Sequence, residues 1–188
     1  MDCRRFEINL ISASDLECVR KRFKMKVYAV VTVGDKQETE KQTPVDKENE
    51  TNPAWNFTFR YTVGERALNQ DGVMIVIKLY CSRTLGDRYI GEVRISIREL
   101  YSQAMENGGS ITLKKNVQRG GSDATQGQLQ FACSFGEKVI IEPPPPGSPN
   151  VWKKGAKVLL AVILNLVGVG VPLFLDDDSA SKSESPIV

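Results

Sequence analysis

The sequence predicts an all-β fold, an eight-stranded antiparallel β-sandwich, followed by a hydrophobic C-terminal helix. Three observations carry this prediction. Apolar residues alternate with polar ones through most of residues 6–135, the period of half-buried strands. Gly, Pro and Asn punctuate these runs at short intervals. Beyond Ile141 the composition turns abruptly proline-rich, then almost purely apolar.

Taken in order, Phe6, Ile8 and Leu10 share one face of a first strand, and Val27, Ala29, Val31 and Val33 share one face of a second. A short third strand is expected near Lys36 to Lys41. In the fourth, Trp55, Phe57, Phe59 and Tyr61 alternate with Asn56, Thr58 and Arg60. The fifth, Val73 to Tyr80, is apolar on both faces apart from Lys78, which marks a central strand. Ile90 to Ile97, Ile111 to Val117 and Leu129 to Phe135 complete the set, and Arg98 to Glu106 reads as the one short helix of this region. Eight short strands at this spacing predict a sandwich.

The organisation that follows is a domain over 1–140, a proline-rich linker over 141–150, a candidate membrane anchor over 151–175 and an acidic, serine-rich end over 176–188. Pro143 to Pro146 make a stiff, extended spacer. Val158 to Leu175 is eighteen residues whose only polar side chain is Asn165. As a helix it would span about 27 Å, short for a typical bilayer and adequate for the thinner endoplasmic reticulum. Lys153, Lys154 and Lys157 flank it on the domain side with Trp152 as an interface anchor, which sets the domain in the cytosol. β-Branched residues, Gly168, Gly170 and Pro172 weigh against a regular helix, so an extra strand, a helix packed on a partner and a non-spanning segment stay open. The start, Met1 to Arg5, leads into a strand without an apolar signal region, again an expectation of cytosolic folding. The sequons at Asn49 and Asn56 are then chance matches. Ser179, Ser181, Ser183 and Ser185 read as a solvated end rather than as modification sites.

Composition narrows the function. The chain has 188 residues, 41% hydrophobic and 26% charged, with a formal net charge of +2, too small to indicate nucleic acid. It has no histidine, the commonest general base and metal ligand. Cys3, Cys18, Cys81 and Cys133 match no zinc spacing and are expected to be reduced thiols. No phosphate-binding glycine loop and no nucleophile elbow occurs. These absences point to a binding module rather than an enzyme.

Four stretches, Phe6 to Leu16, Val27 to Val31, Thr51 to Phe57 and Leu85 to Val93, resemble in this order the plant cold-regulated family of small C2-domain proteins. The resemblance covers residues 3 to 137, and the basic first loop is also similar to that of copine-associated C2 proteins of plant defence. It implies the type II strand order, lipid contact through loops at one pole, and a role in stress or defence signalling. Calcium-binding C2 domains carry aspartates in the first and third loops, whose oxygens gather the ions. Here the first-loop positions correspond to Arg20 or Lys21 and to Lys26, and the third-loop positions to Cys81, Arg83 and Arg88, with Asp87 alone beside them. Calcium is therefore not expected, and no other cofactor is.

The expected partner is an anionic phospholipid membrane, met by Arg20, Lys21, Arg22, Phe23, Lys24, Lys26, Arg83 and Arg88, with Met25 interleaved as a further apolar residue. The expected location is the cytosolic face of the endoplasmic reticulum or plasma membrane. The alternative is an adaptor whose sandwich binds a signalling protein and whose tail fixes its place. A bland reading of the loop has it solvated, with Phe23 folded back on the sandwich. If the strands alternate in direction, the basic loop and the end of the eighth strand lie at opposite poles. Residues 136–150 could then stretch about 47 Å, so either the loop reaches a membrane holding the tail with the domain on its side, or it contacts a second, apposed membrane.

Overall fold

The structure is a computed structural model that describes residues 2–34, 37–120 and 125–140. These residues form β1 (Asp2–Ser14), β2 (Val27–Val33), β3 (Lys41–Gln42), β4 (Ala54–Gly64), β5 (Met74–Cys81), β6 (Arg88–Ser96), β7 (Ser110–Gln118) and β8 (Thr125–Ile140). The linker, anchor and acidic end expected over 141–188 lie outside the described residues. Among the described residues no helix is long and apolar enough to cross a membrane.

The strands are hydrogen-bonded in the order β3-β2-β5-β6-β7-β8-β1-β4, every described pairing antiparallel. β6 and β7 share one pair, Glu92 with Gln118, so the sheet folds there into two four-stranded layers. That is the type II arrangement, with β1 between β8 and β4. The fold-over needs Gly91, because a Cβ there would sit 2.7 Å from both the Gln118 carbonyl oxygen and Val117 Cγ1.

Alternation explains the core. Phe6, Ile8 and Leu10 of β1, Phe59 and Tyr61 of β4, and Leu129, Phe131 and Phe135 of β8 face Val27, Ala29 and Val31 of β2 and Ile75, Ile77 and Leu79 of β5 in one buried cluster. Phe6 stacks on Phe135 at 4.8 Å between ring centroids. β5 lies between β2 and β6, as its two apolar faces require. All eight strands and this core lie within residues 2–140, the described part of the chain.

Four local expectations are corrected. The third strand, expected near Lys36 to Lys41, is Lys41–Gln42, and a single 3-10 turn, Gln37–Thr39, precedes it. Threonine hydroxyls take over the missing strand's bonds. Thr39 Oγ1 accepts the Val33 N–H at 2.9 Å and donates to its carbonyl, and Thr43 Oγ1 accepts from Ala29 N–H. An unforeseen helix, α1 (Glu65–Asn69), buries Ala67 and Leu68 and is too short for periodicity to reveal. The foreseen helix, α2 (Ile97–Glu106), starts one residue earlier than expected. In β4 the alternation breaks near Asn56, whose φ of 46° accompanies a bulge between the pairs Leu10–Phe57 and Ser12–Ala54. Trp55 is half-buried and Phe57 exposed in consequence.

The register sets the two poles. Asp2 pairs with Ile140 and Ser14 with Gln128, so β8 ends beside the start of β1, while the loop after β1 lies at the far end. The thirteen residues of β1 separate these poles by about 43 Å.

Candidate functional site

The loop between β1 and β2 is held from below by apolar residues. β1 ends at Ser14, and Asp15 turns the chain with a φ of 55°. Leu16, Val19 and Met25 then insert into the core. Backbone bonds fasten the same base: Ala13 N–H donates to the Pro53 carbonyl and Leu16 N–H to that of Thr51, while Asp15 N–H donates to Asn52 Oδ1. Trp55 Nε1 donates to the Val27 carbonyl at 3.1 Å. The Thr51-Asn52-Pro53-Ala54-Trp55 stretch is thus the clamp beneath the loop.

Between Val19 and Met25 only residues 20–24 are free to bow outward. Arg20 closes the bow, donating from Nη1 to the Lys24 carbonyl at 3.2 Å with its guanidinium 5.0 Å from the Phe23 ring centre. Phe23 is 69% exposed, so it does not fold back on the sandwich. Met25 is the correction here. Interleaved with the cations in sequence, it is fully buried and serves as an anchor rather than a contact.

The loop between β5 and β6 faces it. Cys81 is also buried, so of the five positions that correspond to calcium ligands it alone lies inside the core. Ser82 N–H donates to the Lys26 carbonyl at 2.7 Å, bringing the two loops together. Asp87 folds the rest: Oδ1 accepts the Arg83 N–H at 2.8 Å and Oδ2 accepts the Tyr28 hydroxyl at 2.7 Å. The Tyr28 hydroxyl bond, then the Arg83 N–H, hold the Asp87 carboxyl below its ordinary value. Burial, then Asp87, push the Tyr28 hydroxyl up. Arg83 Nε donates to the Gly86 carbonyl across this turn. Leu85, at the turn's tip, is 93% exposed, and sequence reasoning missed it.

Arg88 joins the loops. It leaves β6 opposite Cys81 and donates from Nη1 to the Val19 carbonyl at 2.9 Å. Calcium would need several oxygens converging here. The one nearby aspartate is already engaged by Tyr28 and Arg83, and a guanidinium bonds the loop carbonyl instead. This donor set does not fit the ion. Among the described residues, no group of three or more acidic or cysteine side chains could hold a metal.

Between the loops lies an open groove of about 800 Å³, lined chiefly by Arg20, Lys21, Arg22, Phe23, Arg83 and Arg88 together with Leu85. The structure therefore gathers six of the eight expected lipid-contact residues. Lys24 and Lys26 are exposed on the same loop but do not line the groove. Among the described residues none of these seven cations forms an ion pair. Glu17, the one acid in the lining, is 3.3 Å from Arg119.

An eight-stranded sandwich of this order, with the loops after β1 and β5 gathered at one pole, defines the C2 class. The C2 domain family matches residues 4–112, and the chain belongs to that family. Its curated relatives are plant proteins, as the resemblance in the sequence implied. It is 33% identical over 163 residues to Protein SRC2 of Glycine max, covering 86% of this chain and 55% of that protein. It is 31% identical over 140 residues to the Protein SRC2 homolog of Arabidopsis thaliana, covering 73% of this chain and 42% of that one. The chain thus spans about half the length of the relatives it matches. A C2 domain of plant Extended Synaptotagmin 1 has the same fold, with a TM-score of 0.58 at 15% identity over 71% of this chain and 94% of that one.

Proposed function

We propose that this is a non-enzymatic module that docks on anionic phospholipid membranes without calcium, as a regulator in plant stress or defence signalling. One observation carries the reading: four of the five positions that would gather calcium, Arg20, Lys26, Arg83 and Arg88, bear fixed cations, and these are unpaired among the described residues. In a calcium-dependent domain, bound ions turn an acidic tip cationic. Here Lys21, Arg22, Lys24 and Lys26 carry the charge permanently, while Arg88 ties the two loops together.

The magnitudes suffice for reversible docking. Each exposed cation near an anionic leaflet contributes about 1 kcal/mol, less where salt screens it. Insertion of the Phe23 ring adds about 1.5–3 kcal/mol. Leu85, across the groove, supplies a second apolar contact.

The test is co-sedimentation of residues 1–140 with vesicles that contain or lack phosphatidylserine. Binding that requires the anionic lipid and is lost in Lys21→Glu/Arg22→Glu supports the reading. Binding indifferent to lipid charge overturns it, and no binding to either vesicle favours the adaptor alternative.

A further inference from the structure

Two loops place five cations around one groove. Arg20, Lys21 and Arg22 from the loop after β1 line it together with Arg83 and Arg88 from the loop after β5. We propose that this groove holds the headgroup of a membrane phosphoinositide, an inositol ring bearing phosphate monoesters on adjoining carbons. This rests on the docking reading above and names the lipid that the tip selects.

Three features select a multiply phosphorylated headgroup. The first is residue type. Four of these five cations are arginines, whose planar forks meet phosphate oxygens through paired hydrogen bonds. The second is preorganisation. Arg20 Nη1 donates to the Lys24 carbonyl at 3.2 Å, Arg83 Nε to the Gly86 carbonyl at 3.0 Å and Arg88 Nη1 to the Val19 carbonyl at 2.9 Å. Each bond steadies a guanidinium against a loop carbonyl and leaves most of its N–H fork open to a ligand. Less rotamer freedom is then lost when phosphate arrives. The third is charge balance. Among the described residues none of the five is ion-paired, and Glu17, the one acid in the lining, is engaged by Arg119. A phosphatidylserine headgroup, with a single net negative charge, would leave most of the mutual repulsion in place. The two monoesters and the phosphodiester of an inositol bisphosphate bring roughly four to five negative charges. Volume agrees, since the groove has the size of a small-molecule site.

The apolar rims point to the lipid-borne form of this headgroup. Phe23 is 69% exposed and Leu85 93% exposed, one on each of the loops that bound the groove. A membrane surface can receive both side chains, a contribution that a soluble inositol phosphate does not provide. Lys24 and Lys26 are exposed on the first loop without lining the groove. They attract any anionic surface and do not distinguish headgroups.

The experiment measures co-sedimentation of the full chain with phosphatidylcholine vesicles that contain either phosphatidylserine or phosphatidylinositol bisphosphate. The two are matched in surface charge, chelator is present, and binding to phosphatidylcholine alone is subtracted. The expected result is a preference for the bisphosphate of about tenfold or more. Lys21→Gln/Arg83→Gln, which removes one lining cation from each loop, should reduce that preference to about twofold or less. Lys24→Gln/Lys26→Gln removes the same charge outside the groove and should weaken both lipids alike, keeping the preference. Soluble inositol trisphosphate should compete for the chain, yet bind about tenfold or more weakly than the bisphosphate vesicles. Equal binding to the two charge-matched vesicles overturns the headgroup site and leaves docking intact. So does the same loss of preference in both double variants, or a failure of inositol trisphosphate to compete. Inositol trisphosphate binding as tightly as the vesicles overturns the lipid-borne assignment. No excess over phosphatidylcholine on either vesicle sinks docking, and the headgroup site with it.

Discussion

Arg88 reaches from the start of β6 to the carbonyl of Val19 in the opposite loop, 2.9 Å away, and so links by one hydrogen bond the two loops that carry the basic tip. The groove between Phe23 and Leu85 is therefore shaped without an ion, by a side chain whose charge is permanent. Arg88→Ala should cost about 1 kcal/mol of stability and raise amide exchange in residues 18–24. Arg88→Lys should restore charge without restoring the exchange protection of the wild type. Unchanged exchange in Arg88→Ala would show that the apolar inserts alone hold the loop.

Lys21 and Arg22 are exposed and free of ion pairs among the described residues, so reversing them removes charge without disturbing packing. Each reversal should weaken binding to anionic vesicles by about 2 kcal/mol, roughly thirtyfold, at low salt. The Tm measured by circular dichroism should stay within a degree or two of the wild type. The affinity of the wild type should itself fall as salt is raised.

Phe23 and Leu85 should behave differently. Phe23→Ala and Leu85→Ala each remove an exposed apolar group and should leave Tm unchanged. Each should weaken vesicle binding by about 1–3 kcal/mol, with little dependence on salt. Met25→Ala provides the contrast: it empties a fully buried site and should lower stability by about 2–5 kcal/mol.

Asp46 supports the tip from the loop between β3 and β4. Burial would raise its carboxyl, but the backbone N–H groups of Ala54, Asn49 and Glu48 and the Asn49 side chain outweigh this and hold it at about 2, against an ordinary 3.8. A carboxyl lowered by folding adds stability above its unfolded value and loses that contribution as pH falls through the folded one. Asp46→Asn should therefore destabilise the protein at neutral pH by about 1.5–3 kcal/mol. The difference from wild type should shrink as pH falls from 3.8 toward 2. Parallel unfolding curves at both ends of that range would contradict this.

Much of the fold was legible because half-buried strands print their period into the sequence. Phe6, Ile8 and Leu10 face the core as their spacing requires. The loops carry no period, and there legibility stops. Phe23 and Met25 look alike in a basic run, yet one is 69% exposed and the other fully buried, because the pinning residues at 16, 19 and 25 follow no repeat. Leu85 is a lone leucine in a turn, with nothing in the sequence to mark it as a tip. The cations were legible as a run, whereas the reach of Arg88 to Val19 depends on the β5–β6 register. The third strand was misplaced because threonine hydroxyls, which sequence patterns do not distinguish from strand residues, satisfy the β2 edge.

The central claim is that fixed charge replaces calcium at the tip. Its most direct test is the binding of residues 1–140 to phosphatidylserine vesicles in chelator and in excess calcium, at constant ionic strength. Equal binding in both, lost in Lys21→Glu/Arg22→Glu, is the predicted result. Binding that appears only with calcium would contradict it.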